Sequence, residues 1–344
     1  MDDNPYAFII DELLNDDHSH NCFENNNQYD ELLNDDHSYQ SRYMLLNVIS
    51  KGSYGIVYRA QDMNTGEIVA VKHEFHGLSR PTLREIRILK SLPRHPSIVQ
   101  FKDTIVEDRD RVFVVMEYIE NDLERLMNVE NSRPFTLSEV KCLMKQLLEG
   151  LAFLHENGVM HRDLKPSNIL INQVRGQLKI CDFSLSRYFG KASGSYTPGL
   201  VTLWYRAPEL LLGAKEYSCA IDMWSVGCIM AELLLKEVLF RGNNEIQQLE
   251  SIYMLLGTPD HHHITCPRFS STFHNAKRPY NHELRLKFAT ATYFSGAPLL
   301  TERGFELLEK LLTHDPLKRI TARAALHHDW FKEYYGFLNL TDSE

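Results

Sequence analysis

The sequence predicts an α+β fold in which a small β-rich lobe with one helix precedes a larger, mostly α-helical lobe. The length of 344 residues exceeds that of a usual compact domain and indicates two lobes. Short β-rich runs separated by turn formers fill residues 43–119, whereas apolar residues recur at helical spacing after about residue 121. A cleft between two such lobes is a natural place for a binding site.

The strands of the small lobe are predicted from runs rich in β-branched and aromatic residues. These runs are MLLNVI, GIVYRA, EIVAVK, IVQFKDTIV and RVFVVMEYI. They predict a small, mostly antiparallel sheet. A helix is expected over about 80–92, because Pro81 is tolerated in a first helical turn.

The helical lobe begins with a long amphipathic segment, LSEVKCLMKQLLEGLAFLHENG, which is expected to end at Gly158. Further helices are predicted at 220–235, 245–256, 304–312 and 321–326. The segment 261–298 is rich in His, Pro, Ser and Thr and is predicted to be mostly loop.

Composition excludes several classes of protein. Hydrophobic residues make up 43% and charged residues 24%, which argues against a fibrous, collagenous or wholly disordered chain. No run of about 18 apolar residues predicts a membrane-spanning helix, and the acidic N-terminus does not resemble a secretory signal. Six cysteines form no Cys-x-x-Cys pair and indicate reduced thiols in a soluble, intracellular protein.

Residues 1–42 form an acidic, Asn-rich extension with 11 acidic residues and one basic residue. The string DELLNDDHS occurs in it twice, at 11–19 and 30–38. Its low apolar content predicts disorder, and its composition favours a duplicated low-complexity tail over a docking motif built on the Leu-Leu pairs. The rest of the chain carries 35 acidic and 36 basic residues, a balance that does not predict nucleic-acid binding.

A glycine-containing loop and a strand lysine are the first candidates for chemistry. Residues 50–57, SKGSYGIV, lie between two predicted strands, and glycine lets a backbone approach phosphate oxygens closely. Since Ser50 stands where the first glycine of a G-x-G-x-x-G pattern would be, this loop alone favours a simple hairpin turn. Lys72 lies on the third strand, and Glu85 on the following helix could hold its ammonium group.

The strongest signal is HRDLKPSN at 161–168 followed by DFS at 182–184. Phosphoryl transfer needs a carboxylate that orients the attacking hydroxyl, and an amide oxygen and a second carboxylate that hold magnesium. The order and spacing of these residue types predict that chemistry and leave little room for an unrelated polar loop.

With these motifs the chain resembles a eukaryotic protein kinase from about residue 43 to residue 331. APE at 207–209 and DMWSVG at 222–227 follow in the expected order, and Arg319 is placed to pair with Glu209. The resemblance implies a bilobal kinase fold with an N-lobe at 43–119 and a C-lobe at 120–331. Residues 332–344 are then a short C-terminal tail.

The branch is indicated by three further strings: VTLWYR at 201–206, LLLGAKEYS at 210–218 and RPTLRE at 80–85. The last resembles PITSLRE. The chain is therefore similar to PITSLRE-like cyclin-dependent kinases, including the plant G-type kinases, which also lack the first loop glycine.

The resemblance implies ATP and Mg²⁺ as cofactors. Asp163 would position the substrate hydroxyl, Lys165 would steady the γ-phosphate, and Asn168 and Asp182 would hold the metal. The ATP-binding residues implied are Ile49, Ser50, Lys51, Gly52, Ser53, Tyr54, Gly55, Val57, Ala70, Lys72, Glu85, Met116, Glu117, Ile119, Asp122 and Leu170.

The same resemblance implies regulation and partners. Thr197 would be phosphorylated by an upstream kinase, and the arginines expected to gather round that phosphate are Arg84, Arg162 and Arg187. Ser53 and Tyr54 resemble inhibitory phosphosites. A cyclin would contact helix 80–92, and protein substrates would carry Ser or Thr followed by Pro, in control of the cell cycle, transcription or splicing. The expected location is nuclear, cytoplasmic or both, with no direct nucleic-acid or membrane partner.

Two departures from the family pattern leave alternatives open. Ser184 replaces the glycine of the Asp-Phe-Gly motif, where glycine permits backbone reversal, and so admits a pseudokinase that binds a cyclin without catalysis. Residues 198–200, PGL, put the preference for proline in doubt. A MAP-kinase-like enzyme would need a Thr-x-Tyr pair, but the order of residues 195–197 is Ser-Tyr-Thr.

Overall fold

The computed structural model describes residues 42–52, 54–107, 111–128, 134–189, 203–259, 282–289 and 299–333. Several predicted features lie outside these residues, namely the acidic extension up to residue 41, Ser53, Thr197, residues 198–200, most of 261–298 and nearly all of the tail. The described chain divides into two compact units. The β unit holds the residues up to Glu120 together with Cys181–Ser186, and the helical unit holds the remainder.

A five-stranded antiparallel sheet forms the β unit. Its strands are β1 Tyr43–Lys51, β2 Gly55–Asp62, β3 Ile68–Glu74, β4 Phe101–Val106 and β5 Val112–Glu117. Their order is β1-β2-β3-β5-β4, so β3 lies at the centre. One hydrophobic cluster of the sheet contains the buried side chains of Tyr43, Ala60, Val69, Val71, Phe113 and Val115. The predicted small antiparallel sheet is confirmed.

Helix α1, Arg80–Ser91, is the helix predicted for this unit. Ser79 caps it by accepting a hydrogen bond from the main-chain nitrogen of Thr82, and Pro81 occupies the first turn. Glu85, Ile86 and Leu89 are buried on one face. The amphipathic pattern therefore places a carboxylate among buried apolar side chains.

Eight helices are described in the helical unit. They are α2 Leu123–Asn128, α3 Leu137–Glu156, α4 Pro208–Leu211, α5 Ala220–Leu235, α6 Glu245–Leu256, α7 His282–Ala289, α8 Glu302–Leu311 and α9 Ala322–Leu326. Helix α3 starts at a capping box between Thr136 and Glu139 and ends before Gly158, whose φ of 76° favours glycine. Helix α5 is buried from Ala220 to Leu234, as expected of a helix that is apolar on all sides.

Two small sheets complete the helical unit. Strands β6 Asn121–Asp122, β8 Ile169–Asn172 and β9 Gln177–Ile180 form one, and β7 Val159–Met160 pairs with β10 Arg187–Tyr188 in the other. Strands β8 and β9 pair antiparallel, with Ile169 opposite Ile180. Among the described residues, no helix combines the length and the apolar character needed to cross a membrane.

Helix α7 lies within 261–298, the segment predicted to be mostly loop. The sequence did not predict a helix over these eight residues. Leu284 and Phe288 lie one helical turn apart and are buried, and the ring of Phe288 packs edge-on against Phe305 of α8 with centroids 5.5 Å apart. Arg285 forms ion pairs with Glu302 and Glu309. A helix this short is stabilised mainly by tertiary contacts, which local sequence does not reveal.

Candidate active site

The β unit holds a buried lysine surrounded by carboxylates. Lys72 lies in β3, and its Nζ is 2.6 Å from Glu85 Oε2, 2.9 Å from Glu74 Oε1 and 3.6 Å from Asp182 Oδ1. Burial alone lowers the pKa of Lys72, but the three carboxylates outweigh it and raise the pKa well above its ordinary value. The site thus contains a permanently charged ammonium group in a fixed position, and the contact with Glu85 expected from the sequence is present.

Glu85 connects three parts of the β unit. It is 1% exposed, bonds Lys72 through Oε2, and accepts a hydrogen bond from the main-chain nitrogen of Phe183 through Oε1 at 3.3 Å. Burial raises the pKa of Glu85 to about 7, even though the charge of Lys72 lowers it. Helix α1, strand β3 and the segment 181–186 therefore meet at one carboxyl group.

This raised pKa predicts a pH dependence of stability. The folded pKa of Glu85, about 7, lies above the ordinary value of 4.5, so the folded chain holds this proton more tightly than the unfolded chain does. The stabilisation is fully present below pH 4.5 and is lost as pH rises through 7. We expect the free energy of unfolding of the natural chain, measured in urea, to fall over this range relative to that of Glu85→Gln. Parallel pH profiles of the two proteins would contradict the assignment.

Several predicted ATP-binding residues lie on one face of the sheet. Val57 in β2 is opposite Lys72 in β3, and Ala70 in β3 is opposite Met116 in β5. Alternate residues of a strand share a face, so Ala70 and Lys72 point the same way. The side chains of Val57, Ala70 and Met116 therefore lie on the same face of the sheet as that of Lys72.

Two glycines have different roles here: Gly52 lies in the loop between β1 and β2, and Gly55 begins β2. A Cβ on Gly55 would lie 2.2 Å from the carbonyl oxygen of His73, so the close approach of β3 requires glycine there. A Cβ on Gly52 would meet nothing within 4 Å, and the nitrogen of Gly52 donates to the carbonyl of Gly55 at 2.9 Å. Of the neighbouring predicted residues, Ser50 and Lys51 are exposed and Ile49 is half-buried.

The end of β5 supplies the next group of predicted ATP-binding residues. Glu117 pairs with Gln100, whose nitrogen donates to Glu117 Oε1 at 2.6 Å and whose carbonyl accepts from Glu117 nitrogen at 3.0 Å. Ile119 is buried, and Tyr54 is half-buried. In the helical unit, Asp122 of β6 caps α2 through the nitrogen of Arg125. It lies opposite Leu170 of β8.

Ser184, which replaces the motif glycine, does not carry the unusual backbone conformation of this segment. Among the described residues, the positive φ angles outside glycine belong to Arg162, Asp182 and Lys236, so the unusual conformation is at Asp182, with φ of 62°. Ser184 is 2% exposed, and its Oγ donates to Asp182 Oδ1 at 2.8 Å. The serine is accommodated and adds a hydrogen bond that glycine lacks.

The helical unit brings together the two predicted catalytic side chains, Asp163 and Lys165, and the predicted metal ligand Asn168. Asp163 is 6% exposed, and its Oδ2 accepts from Lys165 Nζ at 2.9 Å and from Asn168 Nδ2 at 3.1 Å. Asn168 Nδ2 also donates to the carbonyl of Asp163 at 2.8 Å. The loop thus presents one buried carboxylate with an ammonium and an amide directed at it.

A buried carboxylate on α5 fixes this loop. Asp222 accepts hydrogen bonds from the main-chain nitrogens of His161 at 2.9 Å and Arg162 at 2.8 Å, and lies 3.0 Å from His155 Nε2. Burial alone raises the pKa of Asp222, but its hydrogen bonds and the adjacent histidines lower it below the ordinary value. Arg162 keeps a φ of 73°. An ionised Asp222 therefore holds the strained turn that presents Asp163.

Asp222 is the first residue of the DMWSVG motif, and its role was not predicted from the sequence. The sequence signal for this role is an acidic residue in the first turn of α5, the most apolar helix. A buried charge is retained in such a helix only when it is paired.

A comparison with protein families matches residues 43–331 to the family described as "Protein kinase domain". The chain belongs to the protein kinase family. The predicted kinase fold, with its β-sheet N-lobe and helical C-lobe, is confirmed by this match and by a solved structure. That structure is described as the crystal structure of the yeast RNA Pol II CTD kinase CTDK-1 complex; its TM-score is 0.73 and its identity 36%, over 87% of this chain and 95% of the other.

Curated relatives of this kinase domain carry names from the branch that the sequence predicted. Cyclin-dependent kinase G-2 of Oryza sativa subsp. indica is 55% identical over 84% of this chain and 41% of its own length. Cyclin-dependent kinase G1 of Arabidopsis thaliana is 51% identical over 85% of this chain and 49% of its own. Human cyclin-dependent kinase 11A is 46% identical over 85% and 37%. The resemblance to this branch is confirmed, and the chain spans less than half the length of these relatives.

An arginine pair lies near the start of β10 in the helical unit of the kinase domain. The guanidinium of Arg162 lies over the ring of Tyr217, 5.4 Å from its centroid. Burial, reinforced by the charge of Arg162, lowers the pKa of Arg187. Arg187 Nε and Tyr217 Oη are buried and have no hydrogen-bond partner among the described residues. The third predicted arginine, Arg84, is in the β unit and donates to the carbonyl of Ser184 at 3.2 Å.

Proposed function

We propose that the chain is a serine/threonine protein kinase that transfers the γ-phosphate of ATP to protein substrates and is regulated by a cyclin. The observation that carries this proposal is the buried carboxylate of Asp163, which is bonded to Lys165 and Asn168. The names of the curated relatives support the cyclin-dependent class. We further propose that residues 43–331 form the functional domain and that the acidic extension and the tail lie outside it.

The donor groups fit a magnesium nucleotide. Because Asn168 directs its amide nitrogen at Asp163, the amide oxygen is the atom suited to a cation. The Asp182 side chain is 28% exposed and supplies carboxylate oxygens, which Mg²⁺ prefers together with phosphate oxygens. When bound, Mg²⁺ would neutralise charge that develops on the phosphates. Asn168 and Asp182 are therefore the proposed ligands.

The chain's own residues divide the remaining work. Lys72, held by Glu85, offers a fixed positive charge to the ATP phosphates. Asp163 accepts the proton of the substrate hydroxyl while the hydroxyl oxygen attacks the γ-phosphorus. Lys165, bonded to Asp163, supplies positive charge for the transferred phosphoryl group. The other predicted ATP-binding residues would enclose the adenine and the ribose.

Regulation through Thr197 follows from the arginine pair. The Nε of Arg187 is buried without a hydrogen-bond partner among the described residues, and the charge of Arg162 helps to lower the pKa of Arg187, so the two guanidinium groups repel each other. A phosphate on Thr197 would supply charge and acceptor oxygens to Arg162 and Arg187, with Arg84 as the third proposed ligand. An upstream kinase would add this phosphate. Negative charge on Ser53 or Tyr54 would instead oppose the phosphates of ATP.

Replacing Thr197 by Ala is expected to lower kcat about tenfold, within the usual range of coupling between a regulatory site and an active site. The melting temperature should stay unchanged, because the proposed role of Thr197 depends on the phosphate that it carries. Ser193→Ala is the matched control in the same segment. Steady-state phosphate transfer by cyclin-bound, pre-phosphorylated protein measures the effect, and equal kcat for all three proteins would contradict the role of Thr197.

A pseudokinase that docks a cyclin without catalysis is the second candidate, and Ser184 is the observation that favours it. The presence of Lys72, Asp163, Asn168 and Asp182 favours the enzyme, as does the ordinary φ of Ser184. Both candidates share a cyclin partner, which we propose contacts helix α1. They differ in whether phosphate reaches a substrate.

Radiolabelled ATP tests the proposal directly. The purified chain would be incubated with each candidate cyclin and with peptides that differ only in Ser-Pro, Thr-Pro or Ser-Ala. We expect cyclin-stimulated labelling of the Ser-Pro and Thr-Pro peptides and weak labelling of the Ser-Ala peptide. Equal labelling of all three would remove the proline preference, and cyclin binding without labelling would favour the pseudokinase.

A further inference from the structure

Ser184 stands where the kinase motif has glycine, and its hydroxyl is directed at the proposed metal ligand. Its Oγ donates to Asp182 Oδ1 at 2.8 Å, and its main-chain nitrogen lies 3.4 Å from the same oxygen. Both contacts come from a residue two positions further along the chain. A glycine at this position could supply only the weaker of them.

The serine itself is firmly held. It is 2% exposed, and its carbonyl accepts a hydrogen bond from Arg84 Nη1 of helix α1. The preceding residue, Phe183, donates its main-chain nitrogen to Glu85 of the same helix. The main chain at Phe183 and Ser184 is therefore anchored to α1. This anchoring lets the Ser184 hydroxyl fix the orientation of the Asp182 carboxylate.

The ammonium group of Lys72 competes with the serine hydroxyl for the same oxygen of Asp182. Lys72 Nζ is 3.6 Å from Asp182 Oδ1, beyond its shorter contacts with Glu85 and Glu74. Without the serine hydroxyl, rotation of the carboxylate towards this ammonium would form a closer ion pair. Such a pair would draw the carboxylate's charge away from a metal ion, since one oxygen cannot serve both partners equally well.

We propose that Ser184 is a positioning residue that fixes the rotation of the Asp182 carboxylate and thereby strengthens Mg²⁺ binding with nucleotide. This inference rests on the proposed function, because it assigns Asp182 as a metal ligand. Hydrogen-bond partners behind a metal ligand commonly contribute about ten- to a hundredfold to metal affinity. Under this proposal the serine supports metal binding at the position of the motif glycine, which agrees with an active enzyme.

The test uses the full chain, a non-hydrolysable ATP analogue and calorimetry over a series of Mg²⁺ concentrations. Ser184→Ala removes the hydroxyl and keeps Cβ, and Ser184→Gly restores the motif residue. Ser91→Ala is the control, because the Ser91 hydroxyl bonds the carbonyl of Ile88 at the far end of α1. Nucleotide affinity in EDTA reports whether each variant keeps its binding fold.

We expect the Mg²⁺ concentration for half-maximal nucleotide binding to rise about tenfold in both Ser184 variants and to stay unchanged in Ser91→Ala. Nucleotide affinity in EDTA should remain within about twofold of the natural chain. An unchanged Mg²⁺ midpoint in Ser184→Ala would overturn the inference while leaving the proposed function intact, and so would equal loss of binding at every Mg²⁺ concentration. A natural chain that shows no Mg²⁺-dependent nucleotide uptake would contradict both proposals.

Discussion

Replacing Asp163 by Asn is expected to lower the rate of phosphate transfer by about 10³-fold, the range of a lost general base. The amide of asparagine is nearly the same size as the carboxylate and can still contact Lys165, but it cannot take the proton of a substrate hydroxyl. Asp163 lies in a loop whose main chain is held by Asp222, so the substitution should leave the loop in place. Affinity for Mg²⁺-nucleotide should therefore change little.

Single-turnover transfer of labelled phosphate to a Ser-Pro peptide measures this effect. Asp329→Asn is the matched control, since Asp329 is exposed and pairs with Lys332 away from the loop. The control should transfer phosphate at the rate of the natural chain. An Asp163→Asn protein within about tenfold of the natural rate would show that another group takes the proton.

Replacing Arg319 by Ala is expected to destabilise the helical unit by about 3–5 kcal/mol, the usual cost of breaking a buried ion pair. The Arg319 side chain is fully buried and bonds both carboxylate oxygens of Glu209, at 2.7 and 2.9 Å. It also donates to the carbonyls of Ala220 and Thr313, and its guanidinium lies over the ring of Trp224. Truncation therefore removes the Arg319 partner of the Glu209 carboxylate and of these carbonyls at the same time.

Thermal unfolding measures this loss, and a fall in melting temperature of about 10 °C is expected. Arg323→Ala is the control, because Arg323 is 61% exposed and pairs with an exposed Glu156, so its removal should cost less than about 1 kcal/mol. Equal melting temperatures for the two variants would show that the buried pair contributes little net stability.

The sequence predicted those parts of the site that depend on residue type and order. The Arg319–Glu209 contact is confirmed, as is the ion pair of Lys72 with Glu85. The Lys72–Glu85 pair was predicted from a strand lysine and a glutamate on the following helix, whereas the Arg319–Glu209 pair, 110 positions apart, was predicted from the family resemblance. Local patterns alone predicted the five-stranded sheet and the long helix α3, because their periodicity covers many residues.

Other features could not be read from the sequence because they depend on three-dimensional contacts. The positive φ of the Asp-Phe-Ser segment belongs to Asp182, a detail that only backbone geometry reveals. The role of Asp222 depends on main-chain nitrogens brought to it from residues some 60 positions away. Helix α7 was missed because the apolar contacts of Leu284 and Phe288 come from elsewhere in the fold.

Lys72, Asp163, Asn168 and Asp182 are proposed to serve one magnesium nucleotide. A crystal structure of the full chain with Mg²⁺ and a non-hydrolysable ATP analogue tests it most directly. The proposal predicts Lys72 Nζ against the phosphates, with Asp182 and Asn168 both coordinating the metal. A bound nucleotide with Asn168 and Asp163 remote from its phosphates would contradict the assignment of this chain as an enzyme.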